Sequence, residues 1–111
     1  MSALPELKES DITKQIKGFL ESRGWTGFRL QSGLVRGFTG DTFMRLAKKG
    51  TPDWVFVRGR EALFVEMKRP GKKPSADQLG WLAWAGVQGI QAIWADGLGV
   101  FMEKYGKVWV R

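Results

Sequence analysis

The sequence predicts a single α/β domain over residues 1–111, with a small mixed β-sheet flanked by helices and the element order α-β-β-β-α-β-β. Two segments place apolar residues at spacings of three and four, which is the helical period. Short apolar or alternating runs are bounded by glycine and proline turns, which is typical of strands. A chain of 111 residues with 43% hydrophobic content is enough for one ordinary core.

The first element is an amphipathic helix, predicted over residues 8–23. Ile12, Ile16 and Leu20 lie four positions apart and share one apolar face. Gly24 follows and ends the helix. The pattern predicts a helix that packs one side against the rest of the domain.

The middle of the chain is predicted to form three strands. Residues 25–31 alternate like a short strand, and the glycine-rich stretch that follows predicts only a helical turn near residues 42–47. The apolar run at residues 54–57 is typical of a strand that is buried on both faces. Residues 62–68 return as its antiparallel partner after the turn at residues 58–61.

A capping pattern predicts the second helix. Ser75 is a favoured N-cap residue and Gln78 stands three positions later, which together make the capping-box pattern. The helix is predicted to run to about Val87. Its apolar face is predicted to consist of Leu79, Leu82, Ala83 and Gly86.

The C-terminal segments are predicted to be strands. Residues 91–95 and 100–105 have strand-like apolar patterns and are joined through Asp96-Gly97, a typical turn pair. Residues 107–110 are a candidate for one last strand.

Composition limits the chemistry. The chain contains no cysteine and no histidine, which excludes disulfides, thiol nucleophiles, thiolate or imidazole metal sites and histidine-dependent triads. Lysine and arginine number 18 against 11 acidic residues, so the net charge is +7. This excess predicts a polyanionic partner, most plausibly nucleic acid, although a basic protein without such a partner is the alternative.

The sequence contains no targeting or membrane signal. The N-terminus has neither a basic start nor an apolar run, so no signal peptide is predicted. No stretch approaches the roughly 18 apolar residues of a membrane helix. We therefore expect a cytoplasmic location and no membrane partner.

The residues with the clearest chemical potential are Asp53, Glu66 and Lys68. Side chains alternate along a strand, so Glu66 and Lys68 project from the same side. Antiparallel pairing through the turn at residues 58–61 would bring Asp53 level with them. Two carboxylates and an ammonium group would then meet at one end of the sheet.

Such a trio suits phosphodiester hydrolysis. Asp53 and Glu66 offer the carboxylate oxygens that Mg²⁺ prefers, and a cation held there would polarise a phosphate oxygen and lower the pKa of a bound water. Lys68 could orient that water or neutralise charge in the transition state. The alternative is that Glu66 and Lys68 form an ordinary solvent-facing pair.

Two further residues have a structural and a functional interpretation. Glu9 lies on the same stripe as the apolar residues of the first helix, as either a first-turn charge that faces the helix dipole or a third metal ligand. Glu6 shares much of that face if the helix begins earlier. Gln78 either only completes the capping box or also places its amide near the attacking water or the substrate phosphate.

Basic residues surround these positions. The loop before the second helix and the start of that helix predict an anion-binding edge, through cationic side chains and free backbone N–H groups. The candidate DNA-binding residues are Arg69, Lys72, Lys73, Ser75, Lys48 and Lys49. The second helix also carries Trp81 and Trp84 away from its predicted apolar face, so its outer side is expected to be covered, as in a dimer.

Taken together, these motifs resemble a VRR-NUC domain, a branch of the PD-(D/E)xK nuclease superfamily with a restriction-endonuclease-like core. The resemblance covers most of the chain outside residues 32–49. It is carried by Glu9 ahead of Ile12 and Ile16 in the first helix, Gly50-Thr51-Pro52-Asp53-Trp54, Phe64-Val65-Glu66-Met67-Lys68-Arg69-Pro70, and Ser75-Ala76-Asp77-Gln78-Leu79-Gly80-Trp81-Leu82.

The resemblance implies roles for individual residues. Glu9, rather than Glu6, would ligate Mg²⁺ or Mn²⁺ together with Asp53, Glu66 and the backbone carbonyl of Met67. The resemblance further implies that Lys68 is the catalytic lysine and Gln78 a supporting glutamine.

The resemblance also implies a substrate. Small stand-alone members of this family resemble phage-borne enzymes that act as homodimers on branched DNA such as Holliday junctions. We therefore expect a metal-dependent DNA endonuclease, in a bacterial or phage-infected cell. The alternatives are a non-catalytic nucleic-acid-binding module with the same fold and a basic partner-binding protein.

Overall fold

The computed structural model describes residues 6–30, 34–36, 43–45 and 48–109, and within them the chain alternates between helices and strands. The elements are α1 Glu9–Glu21, β1 Thr26–Arg29, β2 Leu34–Arg36, β3 Phe43–Arg45, β4 Trp54–Arg58, β5 Glu61–Met67, α2 Ala76–Gln88, β6 Ala92–Ala95 and α3 Leu98–Trp109. None of the helices in these ranges is long and apolar enough to span a bilayer.

Four strands form a mixed sheet in the order β1-β4-β5-β6. β4 is antiparallel to both β1 and β5, whereas β5 and β6 are parallel. Parallel neighbours need a crossover connection, and α2 supplies it. β2 and β3 pair with each other in a separate two-stranded ribbon. The predicted fold class, a small mixed sheet flanked by helices, is confirmed.

The β4–β5 hairpin has the predicted pairing. Arg58 lies opposite Glu61, and the register continues to Trp54 opposite Val65. Gly59, the first residue of the two-residue loop, has φ +59°, which matches the glycine position of a type II′ turn. Of the β4 residues only Phe56 is fully buried, so the strand is less enclosed than its apolar run predicted.

The hydrophobic core lies between the sheet and the helices α1 and α3. The predicted face of α1 is confirmed, because Ile12, Ile16 and Leu20 are all almost fully buried. The sheet contributes alternate residues of β5, which project to one side. The other large members of this core are Trp25, Phe56, Leu63, Val65, Met67, Ile93, Phe101 and Tyr105.

The buried face of α2 differs from the predicted one. Leu79, Ala83 and Gly86 are exposed, whereas Trp81 and Ala85 are buried. The reason is the ring of Trp81, which packs on that of Phe64 with centroids 5.1 Å apart and covers more apolar surface than Leu79 would.

Two predicted secondary-structure assignments were wrong. Residues 100–105 and 107–109 belong to the helix α3 and not to strands, and residue 110 lies outside the described residues. Phe101 and Tyr105, four positions apart, both pack against Phe19 of α1, which a helix allows on one face.

The helical turn near residues 42–47 is also not found. Phe43–Arg45 forms the strand β3, because it pairs with β2 in an antiparallel ribbon. The rest of that predicted turn lies outside the described residues.

Removing the Phe101 ring should destabilise the fold severely. Phe101 is fully buried, so Phe101→Ala should cost about 3–5 kcal/mol of unfolding free energy in urea denaturation. Val100, its neighbour on α3, is 41% exposed, and Val100→Ala should cost less than about 1 kcal/mol. Equal losses for the two variants would contradict the packing of α3.

Candidate active site

Glu66 and Lys68 lie buried at the C-terminal end of the central strand β5. Their side chains are only 4% and 10% exposed, and Lys68 Nζ is 3.7 Å from Glu66 Oε2. The alternative of a solvent-facing pair is therefore wrong. The other carboxylate oxygen, Glu66 Oε1, is buried and has no hydrogen-bond partner among the residues that the structure describes. Buried polar atoms nearly always have a partner, so this oxygen is a candidate ligand for a further group.

The surroundings of Glu66 disfavour its charged form. The pKa of Glu66 is raised to about 7. Burial is the largest cause, the ammonium of Lys68 opposes it, and the negative charges of Asp53 and Glu9 add to the rise. A buried carboxyl group with a shifted pKa next to specific charges is characteristic of functional sites. A cation beside these carboxylates would favour the ionised form of Glu66.

Asp53 lies at the entrance of β4, where the hairpin register brings it level with Glu66. Trp54, the first residue of β4, is opposite Val65, so continuing the register by one position would bring Asp53 level with Glu66. The side chain of Asp53 is half-buried, and its backbone carbonyl accepts a hydrogen bond from the N–H of Leu30 (2.6 Å). The register of β4 and β5 is therefore consistent with the predicted approach of Asp53 to Glu66 and Lys68.

The turn before Asp53 is held against α2. Gly50 has φ +91°, and a Cβ there would lie 2.2 Å from the carbonyl oxygen of Asp77 in the first turn of α2. Only glycine tolerates both the positive φ and this close approach. Thr51, which is buried, donates from its N–H and its hydroxyl to the carbonyl of Lys48. The turn therefore positions Asp53 through contacts with a second element.

Glu9 lies at the first position of α1 and lines a cleft of about 170 Å³ together with Asp53 and Met67. The sequence analysis placed Glu9 on the stripe of α1 that contains the apolar residues. The side chain of Glu9 is nevertheless exposed, because the buried part of that stripe begins one turn later, at Ile12. The backbone N–H of Lys8 donates to the carboxylate of Asp11 (2.8 Å), so Asp11 serves the helix start.

The cleft also contains residues that the sequence analysis missed. Ser10, Thr13 and Arg29 line it beside Trp54. Arg29 lies opposite Trp54 in the β1–β4 pairing, next to Asp53. Only the pairing of β1 with β4 reveals this position, because nothing in the local sequence links Arg29 to the site.

The carboxylates fit a magnesium-type ion. Within the described residues no three acidic side chains are close enough to hold a metal ion by themselves, so Glu9, Asp53 and Glu66 do not form a closed cage. Mg²⁺ usually takes one or two protein carboxylates and keeps several waters. Asp53 and the unpartnered oxygen of Glu66 are compatible with that requirement.

Gln78 completes the capping box with Ser75, which was the structural interpretation of this residue. The N–H of Ser75 donates to Gln78 Oε1 (2.8 Å), and the N–H of Gln78 donates to Ser75 Oγ (3.2 Å). The capping bond uses the side-chain oxygen, whereas the NH₂ group of Gln78 carries two further donors. A role of that group beside a phosphate stays a prediction.

The predicted DNA-binding residues are all at the surface. Arg69, Lys72 and Lys73 are exposed in the loop between β5 and α2, and Gly71 in this loop donates its N–H to the carboxylate of Asp96 (2.9 Å). The others, Lys48, Lys49 and Ser75, are exposed beside the start of α2.

Comparison with known proteins supports the fold. No family model matches the chain, and no curated protein matches it. A solved structure described as a VRR_NUC domain is similar to it, with a TM-score of 0.67 and 19% sequence identity, over 91% of this chain and 97% of that one. The chain therefore has the fold of a VRR_NUC domain.

Glu66 should make the stability of the metal-free protein depend on pH. Because its pKa is raised to about 7 in the folded state, this group stabilises the fold fully below about pH 4.5, and the contribution is lost as the pH rises to about 7. The loss should be at most about 3 kcal/mol. Urea denaturation in EDTA should show that Glu66→Gln removes this part of the pH dependence, whereas Glu103→Gln, at an exposed site, keeps it. An unchanged slope in Glu66→Gln would contradict the raised pKa.

Replacing Gly50 should loosen the turn that positions Asp53. Gly50→Ala combines a disfavoured φ with a collision against α2, so we expect a loss of more than about 2 kcal/mol in urea denaturation. Gly59 has a similar positive φ but no atom within 4 Å of an added Cβ. Gly59→Ala should therefore lose only about 1–2 kcal/mol. The collision with α2 is refuted if the two losses are equal.

Proposed function

We propose that this chain, which has the fold of a VRR_NUC domain, is a DNA endonuclease that hydrolyses phosphodiester bonds with Mg²⁺ or Mn²⁺. The observation that carries the proposal is the buried, unpartnered oxygen of Glu66, opposite Asp53 and beside Lys68. A carboxylate buried without a partner is costly unless a further group completes it. The similarity of the fold to a VRR_NUC domain also supports a nuclease-family domain.

In the proposed mechanism Asp53 and Glu66 would hold the cation, and the carboxylate of Glu9 and the backbone carbonyl of Met67 would be further ligands. Glu9, Asp53 and Met67 line one cleft. A bound divalent cation supplies a water of lowered pKa and offsets negative charge on the phosphate. Lys68, held 3.7 Å from Glu66, can orient that water or stabilise the charge that develops in the transition state. Gln78 can support the phosphate through its NH₂ group.

Binding of the DNA backbone is assigned to exposed cationic residues. Arg69, Lys72 and Lys73 in the loop and Lys48 and Lys49 beside α2 can contact phosphates. The start of α2 adds backbone N–H groups beside Ser75. With a net charge of +7, such binding should weaken steeply as salt increases.

We further propose that the substrate is branched DNA, such as a Holliday junction, and that the active form is a homodimer without a membrane partner. Contacts to phosphates carry no sequence information, so selectivity would come from the shape of the DNA. The dimer is supported by apolar side chains on the outer side of α2, where Leu79 is 48% exposed and Val87 is 85% exposed. The proposed location is the cytoplasm of a bacterial or phage-infected cell.

A non-catalytic DNA-binding module with the same fold is the second candidate. It is favoured by the open arrangement of the acidic side chains, since no three of them in the described part of the chain form a metal cluster. This candidate predicts DNA binding that EDTA does not change and no cleavage products.

Removing either proposed ligand should abolish cleavage. With linear, forked and four-way DNA, Mg²⁺ or Mn²⁺ should give products of the wild type on a gel, and EDTA should prevent them. Asp53→Asn and Glu66→Gln should each lower the rate by at least roughly 100-fold, as should Lys68→Ala. Only Lys68→Ala should keep Mn²⁺ binding in calorimetry.

Glu103→Gln provides the control, because it makes the same chemical change at an exposed residue of α3. Its cleavage rate should equal that of the wild type. Cleavage by purified Asp53→Asn or Glu66→Gln at the wild-type rate would rule out the mechanism. Binding without cleavage under every metal condition would favour the non-catalytic module.

A further inference from the structure

A second cleft lies between α2 and the segment that leads into the Gly50 turn. It has a volume of about 250 Å³, and Lys48 and Lys49 line one side of it. Asp77, Gly80 and Trp84 of α2 line the other side, with Trp81 beside them. We call it the Trp84 cleft. None of the roles in the proposed hydrolysis uses Trp84 or Gly80.

The aromatic wall of the Trp84 cleft is held in place by the sheet. Trp81 is nearly buried and packs on Phe64 of β5, and the Trp84 ring lies 5.7 Å from that of Trp81 at an angle of 59°. Trp84 itself remains 48% exposed. An exposed indole that is fixed by its neighbours loses little conformational freedom when a flat ring stacks on it.

Gly80 keeps the space between Asp77 and Trp84 open. These three residues are spaced by three and four positions, so they lie along one face of α2. Apart from the chain neighbours and the nearby backbone of α2, no atom of the described residues lies within 4 Å of a Cβ added at Gly80, so packing against them does not require a glycine there. Glycine weakens a helix interior relative to alanine or leucine. Its effect at this position is to leave the floor of the cleft clear.

The charges at the rim suit a nucleotide. Lys49 Nζ pairs with the Asp77 carboxylate at 3.2 Å, but both side chains are more than half exposed. Such pairs contribute little, so Lys49 can exchange Asp77 for a phosphate. Lys48 is exposed beside it. Asp77 can then accept a hydrogen bond from an amino group of a base, as acidic side chains do with cytosine.

The Trp84 cleft lies on the same side of the sheet as Glu66. Phe64 and Glu66 are two residues apart on β5, so both project from one face, about 7 Å apart along the strand. Trp81 rests on Phe64, and Trp84 lies one helical turn further. A strand of DNA whose phosphate reaches Glu66 can therefore place a nearby base at Trp84.

The size of the cleft suits one planar ring system. Pockets for drug-sized ligands measure about 300–1,000 Å³, and this one is smaller. We propose that the Trp84 cleft binds a single unpaired DNA base, which stacks on Trp84 while Lys48 and Lys49 contact the adjacent phosphates. This inference rests on the proposed action on DNA and makes the substrate a DNA that contains a single-stranded segment. Aromatic stacking of this kind tolerates any base sequence.

Binding measured without cleavage tests the inference. Fluorescence anisotropy in EDTA compares a forked DNA that carries single-stranded arms with a fully paired duplex of the same total length. Trp84→Ala should weaken binding of the forked DNA by about 5- to 150-fold, the effect of losing one base–aromatic stack. Binding of the duplex should change less than about threefold. Trp84→Phe should restore most of the preference for the fork.

A pair of glycine variants separates the cleft from the stability of α2. Gly80→Leu fills the Trp84 cleft, whereas Gly86→Leu adds the same side chain to the same helix away from it. Neither added Cβ comes within 4 Å of an atom in the described residues outside the nearby helix backbone and the chain neighbours. Leucine favours helix, so both variants should fold. Gly80→Leu should lose the preference for the forked DNA, and Gly86→Leu should keep it.

Three results with the variants would overturn the inference. The first is an equal loss for forked and duplex DNA in Trp84→Ala, and the second is the same behaviour of Gly80→Leu and Gly86→Leu. The third is a change from dimer to monomer in Trp84→Ala by sedimentation with unchanged preference for the fork, which would assign Trp84 to a contact between copies. A wild type that cleaves DNA but shows no preference for the fork would overturn this inference alone, whereas a wild type that binds no DNA would overturn the proposed function as well.

Discussion

The register of the β4–β5 hairpin is the constraint on which the candidate site depends. Once Arg58 lies opposite Glu61, every later pair is set, and Asp53 reaches Glu66 at the open end of the hairpin. Slipping this pairing by one residue would turn Glu66 towards the opposite face of the sheet. The short loop at Gly59 and the burial of alternate β5 residues both oppose such a slip.

The burial of Glu66 and Lys68 shows a conflict between stability and chemistry. A buried ion pair gains attraction in a medium of low dielectric constant but loses the hydration of both groups, and apolar residues of similar volume often stabilise a fold equally well. Here the conflict is sharper, because one oxygen of Glu66 has no partner among the described residues and the nearby Asp53 and Glu9 are also negative. An arrangement of this kind is typical of functional sites, where a ligand completes what the fold leaves open.

α2 connects the two clefts. Its first turn contacts Gly50 and so holds the turn that leads to Asp53. The Ser75–Gln78 capping box begins the helix, and the backbone nitrogen of Gln78 lies beside the same turn. One turn later, Trp81 packs on β5 and leaves Trp84 beside the basic segment at Lys48. Movement of α2 would therefore affect both the carboxylate end of the sheet and the aromatic cleft.

Local patterns in the sequence were sufficient for α1, for the hairpin and for the start of α2. The apolar period of α1, the tight turn at Gly59 and the capping pair at Ser75 each act within a few residues, so their signals can be read from neighbouring positions. The same local reasoning placed Asp53, Glu66 and Lys68 together, because a hairpin converts sequence spacing into distance.

Only the tertiary structure decided the features that depend on contacts between segments far apart in the chain. The region after Asp96 is rich in apolar residues at both strand and helix spacings, and packing of Phe101 and Tyr105 on Phe19 selects the helix. α2 is apolar on several sides, and docking on Phe64 decides that Trp81 is buried and Leu79 is not.

The burial of Glu66, the place of Arg29 in the cleft and the need for glycine at position 50 likewise arise from neighbours that no local pattern contains. Physically, a short pattern fixes backbone conformation, whereas burial and the pKa of a side chain depend on everything that surrounds it.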